Sequence, residues 1–379
     1  MKKMIKWFIG VIAIIIALLY LTDYDYIIKG VRVVYLTGHT TAYIDDHPSF
    51  ENERIPASSN PQPWAVHEDY NKVEPTQKLS ETNNKFGTVA FLVIKNDSIW
   101  YENYAKNYGK ESQTNSFSMA KSITSALLGK AIKDGFITDL DQPVGDFYPQ
   151  YAGSGVTVGD LSSMASGLDW DESYTSPFSV TARSYYDDNL AETILNQEVV
   201  ETPGKSYKYL SGSTQLLGMV IKKATGKTLS KYVTDSFWEP MGFENEALWQ
   251  LDDSENRLEK SYCCIASNAR DFARFGKLYS NLGTWKSVSI IDSSFVATST
   301  QQRFKESPEY GYGFWLSDHL NKKIFVMRGI LGQYVISIPE DNLIIVRLGH
   351  QRGNYSGKPF TTEFYDYINE VYIMTEMGS

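Results

Sequence analysis

The spacing of apolar residues predicts strands near both ends of the chain and helices between them. Two apolar runs, 88–95 and 98–105, flank the turn residues Asn96 and Asp97 and predict a β-hairpin. Apolar residues three or four positions apart predict helices over 118–134, 215–226, 268–283 and 361–375. Four further strands are predicted at 312–318, 323–329, 334–340 and 342–350. We therefore expect an α/β (α+β) fold, with one antiparallel sheet made from both chain ends, flanking helices, and a mainly helical insert over about 140–285.

The N-terminus has the pattern of a membrane anchor. Three lysines (Lys2, Lys3 and Lys6) precede an uncharged apolar run over 7–21. A helix over 4–22 would be about 28 Å long, close to the roughly 30 Å of a bilayer core. No small-x-small cleavage site follows the run, so residues 1–22 favour an uncleaved signal anchor over a cleaved signal peptide. The lysines predict a cytosolic N-terminus, hence a single-pass protein of the cell membrane with an extracytoplasmic catalytic domain.

Residues 23–85 show little periodicity and predict an extension that wraps or links. The stretch 51–64 contains three prolines and several turn formers. The aromatic residues Tyr43, Phe50 and Trp64 indicate that the segment packs against the rest of the protein. The third region, 86–379, is then the main domain.

Charge and cysteine content exclude several classes of function. The 379 residues carry a net charge of −9, which repels polyanions and argues against nucleic acid as a partner. The two cysteines, Cys263 and Cys264, are adjacent, and neighbouring cysteines rarely have the geometry of a disulfide. We therefore expect no disulfide and no cysteine-based zinc site, and the five histidines show no metal-ligand spacing.

The clearest candidate for chemistry is Ser118-Met119-Ala120-Lys121, an S-x-x-K sequence where a helix is predicted to begin. Residues three apart on a helix share a face, so the Lys121 amine can reach the Ser118 hydroxyl. A neutral lysine can accept the hydroxyl proton if burial lowers its pKa. By itself the pattern is more often accidental, a serine N-cap followed by a surface lysine.

Two more motifs follow in a recognisable order. Tyr209-Leu210-Ser211 precedes the 215–226 helix, and Met327-Arg328-Gly329-Ile330 follows an aromatic stretch at 310–315. With the S-x-x-K sequence, the chain from about residue 85 resembles the serine β-lactamase and penicillin-recognising superfamily. That superfamily has S-x-x-K, Y-x-N or S-x-N, and K-T-G or H-x-G. The resemblance is closest to the class C-like branch of esterases, D-amino-acid peptidases and 6-aminohexanoate-dimer (nylon-oligomer) hydrolases, which the segments 161–172, 269–276 and 328–350 also resemble.

This resemblance implies a β-lactamase-like fold and a set of roles. Ser118 would be the acylated nucleophile, Lys121 its proton acceptor and Tyr209 the second acid/base group. The backbone N–H groups of Ser118 and Ile330 would form the oxyanion hole. Five residues are candidates to contact substrate: Trp170, Tyr174, Ser211, Tyr262 and Gly329. For Trp170 and Tyr174 a core or surface position stays open as the alternative. No metal or organic cofactor is implied.

The chain also departs from the superfamily pattern. Ser211 replaces the asparagine of Y-x-N, and the third motif has apolar Met327 where a lysine or histidine is expected, with Arg328 one place later. These departures argue against efficient β-lactam hydrolysis. We predict a serine hydrolase that cleaves a small-molecule or peptide-like amide or ester through an acyl-enzyme. Two alternatives stay open: a D-aminopeptidase or penicillin-binding D,D-peptidase, and a non-catalytic sensor or binding module.

Overall fold

A seven-stranded sheet lies at the centre of the fold, and helices cover both of its faces. The computed structural model describes residues 1–377; the last two residues of the predicted main domain, 378–379, lie outside the described residues. The strands are β1 (Asn52–Ile55), β2 (Ala65–Val66), β3 (Thr88–Lys95), β4 (Ser98–Tyr104), β5 (Thr114–Asn115), β6 (Ala247–Gln250), β7 (Ile265–Ser267), β8 (Thr284–Trp285), β9 (Val288–Ser289), β10 (Trp315–Ser317), β11 (Ile324–Gly329), β12 (Gln333–Ile338) and β13 (Leu343–Gly349).

Twelve α-helices are formed by the described residues. They are α1 (Lys2–Leu21), α2 (Tyr26–Val33), α3 (Gln77–Lys85), α4 (Met119–Lys133), α5 (Val158–Ser162), α6 (Val180–Tyr186), α7 (Leu190–Leu195), α8 (Ser211–Thr225), α9 (Leu229–Val233), α10 (Ala269–Ser280), α11 (Ser293–Ser299) and α12 (Thr362–Met377). Short 3-10 helices occur at Tyr35–Thr37, His47–Ser49, Val144–Asp146, Pro149–Tyr151, His319–Asn321, Ile330–Gly332 and Pro339–Asp341, and a π-helical turn at Thr234–Trp238.

The central sheet joins the two ends of the chain, as the sequence predicts. Its strand order is β10-β11-β12-β13-β3-β4-β2, antiparallel except for the β2–β4 pair. The β3–β4 hairpin meets the C-terminal strands where Ile94 pairs with Ile344. One apolar layer packs between this sheet and α12, and the other packs against α4, α8 and α10. The predicted fold class is confirmed.

A second, four-stranded sheet of order β1-β6-β7-β5 was not predicted from the sequence. Its strands have two to four residues each, too short for an alternating pattern to be recognised. Strand β1 comes from the 23–85 segment, so this segment takes part in the fold through pairing with distant strands. Strand β5 ends directly before the Ser118 segment and pairs with β7, which fixes the start of α4.

Helix α1 stands apart from these layers. None of its 20 residues is buried, and among residues 1–377 it alone is long and apolar enough to cross a membrane. The following helix, α2, lies against α6 of the helical insert.

Candidate active site

The backbone around Ser118 turns its hydroxyl toward an open cleft. Ser118 is the residue before α4, but its side chain makes no capping hydrogen bond. Phe117 takes a left-handed conformation with φ 46°, and its N–H donates to the Asn115 side-chain oxygen at 2.9 Å. Such a conformation is uncommon for a bulky residue. The strained turn therefore presents Ser118 at the helix N-terminus, where a developing negative charge is stabilised.

Lys121 lies one turn below Ser118 and is almost completely buried, with 2% of its surface exposed. Its Nζ lies 3.2 Å from Ser118 Oγ, 3.0 Å from Ser211 Oγ and 2.9 Å from the Tyr262 carbonyl oxygen. Burial lowers the pKa of Lys121 to about 8, and the charge of Glu172 acts in the opposite direction. Near pH 7, part of the Lys121 side chains therefore carry an uncharged amine.

Glu172 was not predicted as a site residue, yet it orders the contacts around Lys121. Its carboxylate accepts from the Ser211 N–H at 2.6 Å and from the Ser211 hydroxyl at 2.6 Å. Ser211 is the first residue of α8, so the positive end of the helix dipole also stabilises a carboxylate at this position. Because the Ser211 proton is committed to Glu172, Ser211 can only accept from Lys121.

This network fixes the direction of the Lys121 lone pair. A neutral amine has two N–H donors and one lone pair. The Tyr262 carbonyl and the Ser211 oxygen both act as acceptors and take the two donors. The charged amine also donates to Ser118 Oγ, and in the neutral amine it is the lone pair that faces Ser118, the orientation that proton abstraction requires.

Tyr209 is the third side chain to which the resemblance assigns a catalytic role. Burial raises the pKa of its phenol well above the ordinary value, although the Ser118 hydroxyl and the Arg328 charge oppose this. The Lys121 Nζ lies 5.1 Å from the centre of its ring. A phenol in this environment is protonated at neutral pH, which is the state a general acid starts from. Arg328 was not matched to the lysine or histidine of the third motif. Its guanidinium lies 4.3 Å from the centre of the Trp315 ring, and this ring packs beside Tyr209.

Ser118 opens into a cleft of about 90 Å³. The cleft is lined by Thr41, Ala42, Phe117, Ser118, Ser173, Tyr174, Thr181, Ala182, Tyr185, Tyr186, Ser211, Tyr262, Cys263 and Ile330. Ile330 follows β11 directly and lines the same cleft as Ser118. Gly329 directly precedes Ile330 and lies against the Ser118 segment. A Cβ at this position would collide with the Ser116 carbonyl oxygen. The glycine thus allows the end of β11 to approach the Ser118 segment.

The other predicted substrate residues lie in different places. Tyr174, Ser211 and Tyr262 line the cleft, whereas Trp170 is buried beneath it and does not. The Trp170 ring packs against Gly212, and its Nε1–H donates to Thr181 Oγ1 at 3.1 Å. Sequence reasoning also missed Tyr185 and Tyr186 of α6, because no motif marks that helix.

The expectation of unpaired cysteines is wrong. Cys263 and Cys264 form a disulfide beside Tyr262, and Cys264 has a left-handed backbone with φ 76°. This unusual turn brings the neighbouring sulfurs together, which the sequence could not indicate. Within residues 1–377, no cluster of three or more histidine, cysteine, aspartate or glutamate side chains could hold a metal ion.

Comparison with known proteins assigns the family. The beta-lactamase family model matches residues 73–366. The chain belongs to the beta-lactamase family. The predicted family is confirmed, and the chain is by family a serine hydrolase.

Similar proteins support this assignment. The 6-aminohexanoate-dimer hydrolase of Paenarthrobacter ureafaciens is 24% identical over 297 residues, which cover 72% of this chain and 74% of that protein. Protein flp of Staphylococcus aureus (strain MRSA252) is 26% identical over 168 residues, 40% of this chain and only 33% of that longer protein. The solved structure of a suggested 6-aminohexanoate-dimer hydrolase from Bacillus anthracis has a TM-score of 0.72 and 21% identity, covering 86% of this chain and 90% of that one.

Proposed function

We propose that this beta-lactamase-family protein hydrolyses an amide or ester bond through an acyl-enzyme on Ser118. The observation that carries the proposal is the contact between Lys121 Nζ and Ser118 Oγ, at 3.2 Å, in a buried site that lowers the lysine pKa. The substrate is a small-molecule or peptide-like amide or ester. We assign the catalytic domain to residues 86–379.

The reaction begins when neutral Lys121 takes the Ser118 proton while Oγ attacks the substrate carbonyl carbon. The oxyanion of the tetrahedral intermediate accepts from the backbone N–H groups of Ser118 and Ile330. Collapse breaks the bond to the leaving group, which receives a proton from Tyr209, and Lys121 returns a proton to Tyr209. Water then attacks the acyl-enzyme by the reverse sequence of proton transfers and releases the acid and free Ser118.

We also propose that residues 1–22 remain attached and hold the catalytic domain on the outer face of the cell membrane. Helix α1, with no buried residue and an apolar composition, supports this assignment over a core helix. Cell fractionation followed by mass measurement of the membrane-bound protein tests it. An anchored protein retains the residues of α1, whereas a cleaved signal would leave a shorter protein.

The catalytic proposal is tested by reacting the protein with a fluorophosphonate probe and a panel of esters, amides and D-Ala-D-Ala peptides. We expect labelling and turnover in the wild type and in Ser294→Ala, an exposed serine of α11, and loss of both in Ser118→Ala. Tyr209→Phe should label but turn over at least about a hundredfold more slowly. Equal rates for Ser118→Ala and wild type would refute the proposal, and a stable adduct without turnover would favour the sensor module.

A further inference from the structure

The residues that follow helix α1 contact helix α6, which lines one side of the cleft. Asp23, two residues after α1, forms an ion pair with Arg183 of α6 at 2.6 Å. Two residues span at most about 7 Å, so α6 lies close to the point where α1 would leave a membrane. The Tyr26 hydroxyl donates to the Pro177 carbonyl at 2.9 Å, which ties the loop before α6 to α2.

Aromatic packing extends this contact from the anchor to the cleft. The Tyr24 ring lies 5.6 Å from the Phe178 ring, edge to face, and the Arg183 guanidinium lies 4.8 Å from the Tyr26 ring. Gly30 of α2 packs on the Tyr186 ring. Since Tyr186 lines the cleft and Arg183 follows the cleft residue Ala182, the same helix faces the anchor and the active site.

Large apolar side chains remain exposed around this edge of the molecule. We name them the rim: Val31, Tyr35, Leu36, Tyr174 and Phe178, with 40%, 64%, 77%, 53% and 64% of their surfaces exposed. They lie on α2, on the turn after it, and on the loop that leads into α6. Thr41 and Ala42, which line the cleft, follow the same turn. An exposed apolar rim continuous with a membrane-spanning helix is suited to contact lipid.

The size of the cleft limits what enters it. The cleft volume of about 90 Å³ is well below the roughly 300–1,000 Å³ of pockets that enclose a whole small-molecule ligand. A longer substrate must extend over the cleft edge, and at Tyr174 this edge belongs to the apolar rim.

Resting on the proposed function, we infer that the cleft opens at the membrane surface and that the substrate is an amphiphilic ester or amide. Its apolar chain stays in the bilayer while its carbonyl reaches Ser118. The rim contacts the lipid that surrounds α1.

Kinetics of the full chain in phosphatidylcholine vesicles test this inference with two substrates that share one leaving group. Water-soluble p-nitrophenyl acetate is compared with bilayer-embedded p-nitrophenyl palmitate. The rim variant Leu36→Glu/Phe178→Glu should lower the palmitate rate about tenfold and the acetate rate less than twofold. The matched control Val66→Glu/Val288→Glu replaces exposed valines on β2 and β9 and should leave both rates unchanged. An equal loss with both substrates, or no loss with palmitate, would overturn the inference.

A second measurement does not depend on catalysis. Phe178→Cys, labelled with an environment-sensitive fluorophore in vesicles containing brominated lipid, should be quenched, and Val66→Cys should not. Absence of quenching at position 178 would contradict the membrane contact. If neither substrate is hydrolysed in a Ser118-dependent way but quenching at position 178 is retained, the proposed hydrolysis is refuted. The membrane contact is then still supported.

Discussion

Lys121 and Lys260 are both buried, and burial lowers the pKa of both amines, to about 8 and about 7 respectively. Their neighbours are different. The Lys260 Nζ donates to the Tyr185 carbonyl and lies 4.8 Å and 5.2 Å from the rings of Phe50 and Tyr185. The Lys121 Nζ contacts two hydroxyls and a carbonyl.

Under the proposed mechanism, the difference means that a lowered lysine pKa does not by itself define a catalytic site. Burial lowers the pKa of Lys260 as it lowers that of Lys121, but the Lys260 Nζ contacts a carbonyl oxygen and aromatic faces, which have no acidic proton. A general base needs an acidic proton within hydrogen-bond distance, and for Lys121 the Ser118 hydroxyl supplies it. The groups around each amine therefore decide whether its neutral form is used.

The largest expected effect separates the two lysines directly. Lys121→Met should lower kcat/KM for an ester substrate about a thousandfold, because the proton acceptor for Ser118 is lost. Lys260→Met should change kcat/KM less than about threefold. Circular dichroism of both variants checks that the fold is retained, and comparable losses of activity would contradict the distinction.

The pH dependence should follow Lys121 alone. Because only the neutral amine accepts a proton, kcat/KM should rise about tenfold per pH unit below pH 8 and level off above it. Lys260→Met should have the same profile as the wild type. A midpoint that moves in Lys260→Met would mean that Lys260, and not Lys121, controls activity.

Glu172→Gln tests the orientation of the Lys121 lone pair. A glutamine amide can donate to Ser211, which frees the Ser211 proton to face Lys121 and to compete with Ser118 for the lone pair. We expect kcat to fall about tenfold, a loss of about 1.4 kcal/mol. The kcat/KM profile should also move to lower pH, because the carboxylate charge that raises the Lys121 pKa is gone.

A purely structural role of Glu172 would lower activity without moving the pH profile. Glu198→Gln, an exposed residue of the same helical region, is the matched control and should change neither quantity. Ser211→Ala should reproduce the loss of kcat, since it removes the acceptor that Glu172 orients.

The sequence indicates those parts of the site that depend on local spacing. Ser118 and Lys121 are three residues apart on one helix, so their contact follows from helix geometry. The paired strands of the two chain ends also follow from long apolar runs. Roles for Tyr209 and Ile330 could be proposed only from the resemblance to a family.

Other features depend on contacts that no local pattern encodes. Glu172 reaches Ser211 across 39 residues, and its position in a loop gives no indication of this partner. Trp170, two residues earlier, faces the core because Gly212 leaves space for its ring. The disulfide depends on the left-handed backbone of Cys264, which sequence alone does not predict for a residue with a side chain.

The smallest expected effect concerns stability rather than rate. The pKa of Lys260 is about 7 in the folded state and near 10.4 when unfolded, so between these values the unfolded chain binds more protons. Wild-type stability should therefore gain from Lys260 as pH rises from 7 to 10, and the cost of burying its charge is fully present below pH 7. Lys260→Met removes that cost, and its Tm should exceed that of the wild type by about 2–4 °C at pH 6, with the difference shrinking toward pH 10. The exposed-site control Lys205→Met should show no such trend, and a Tm difference for Lys260→Met that is constant with pH would mean that Lys260 is already charged in the folded protein.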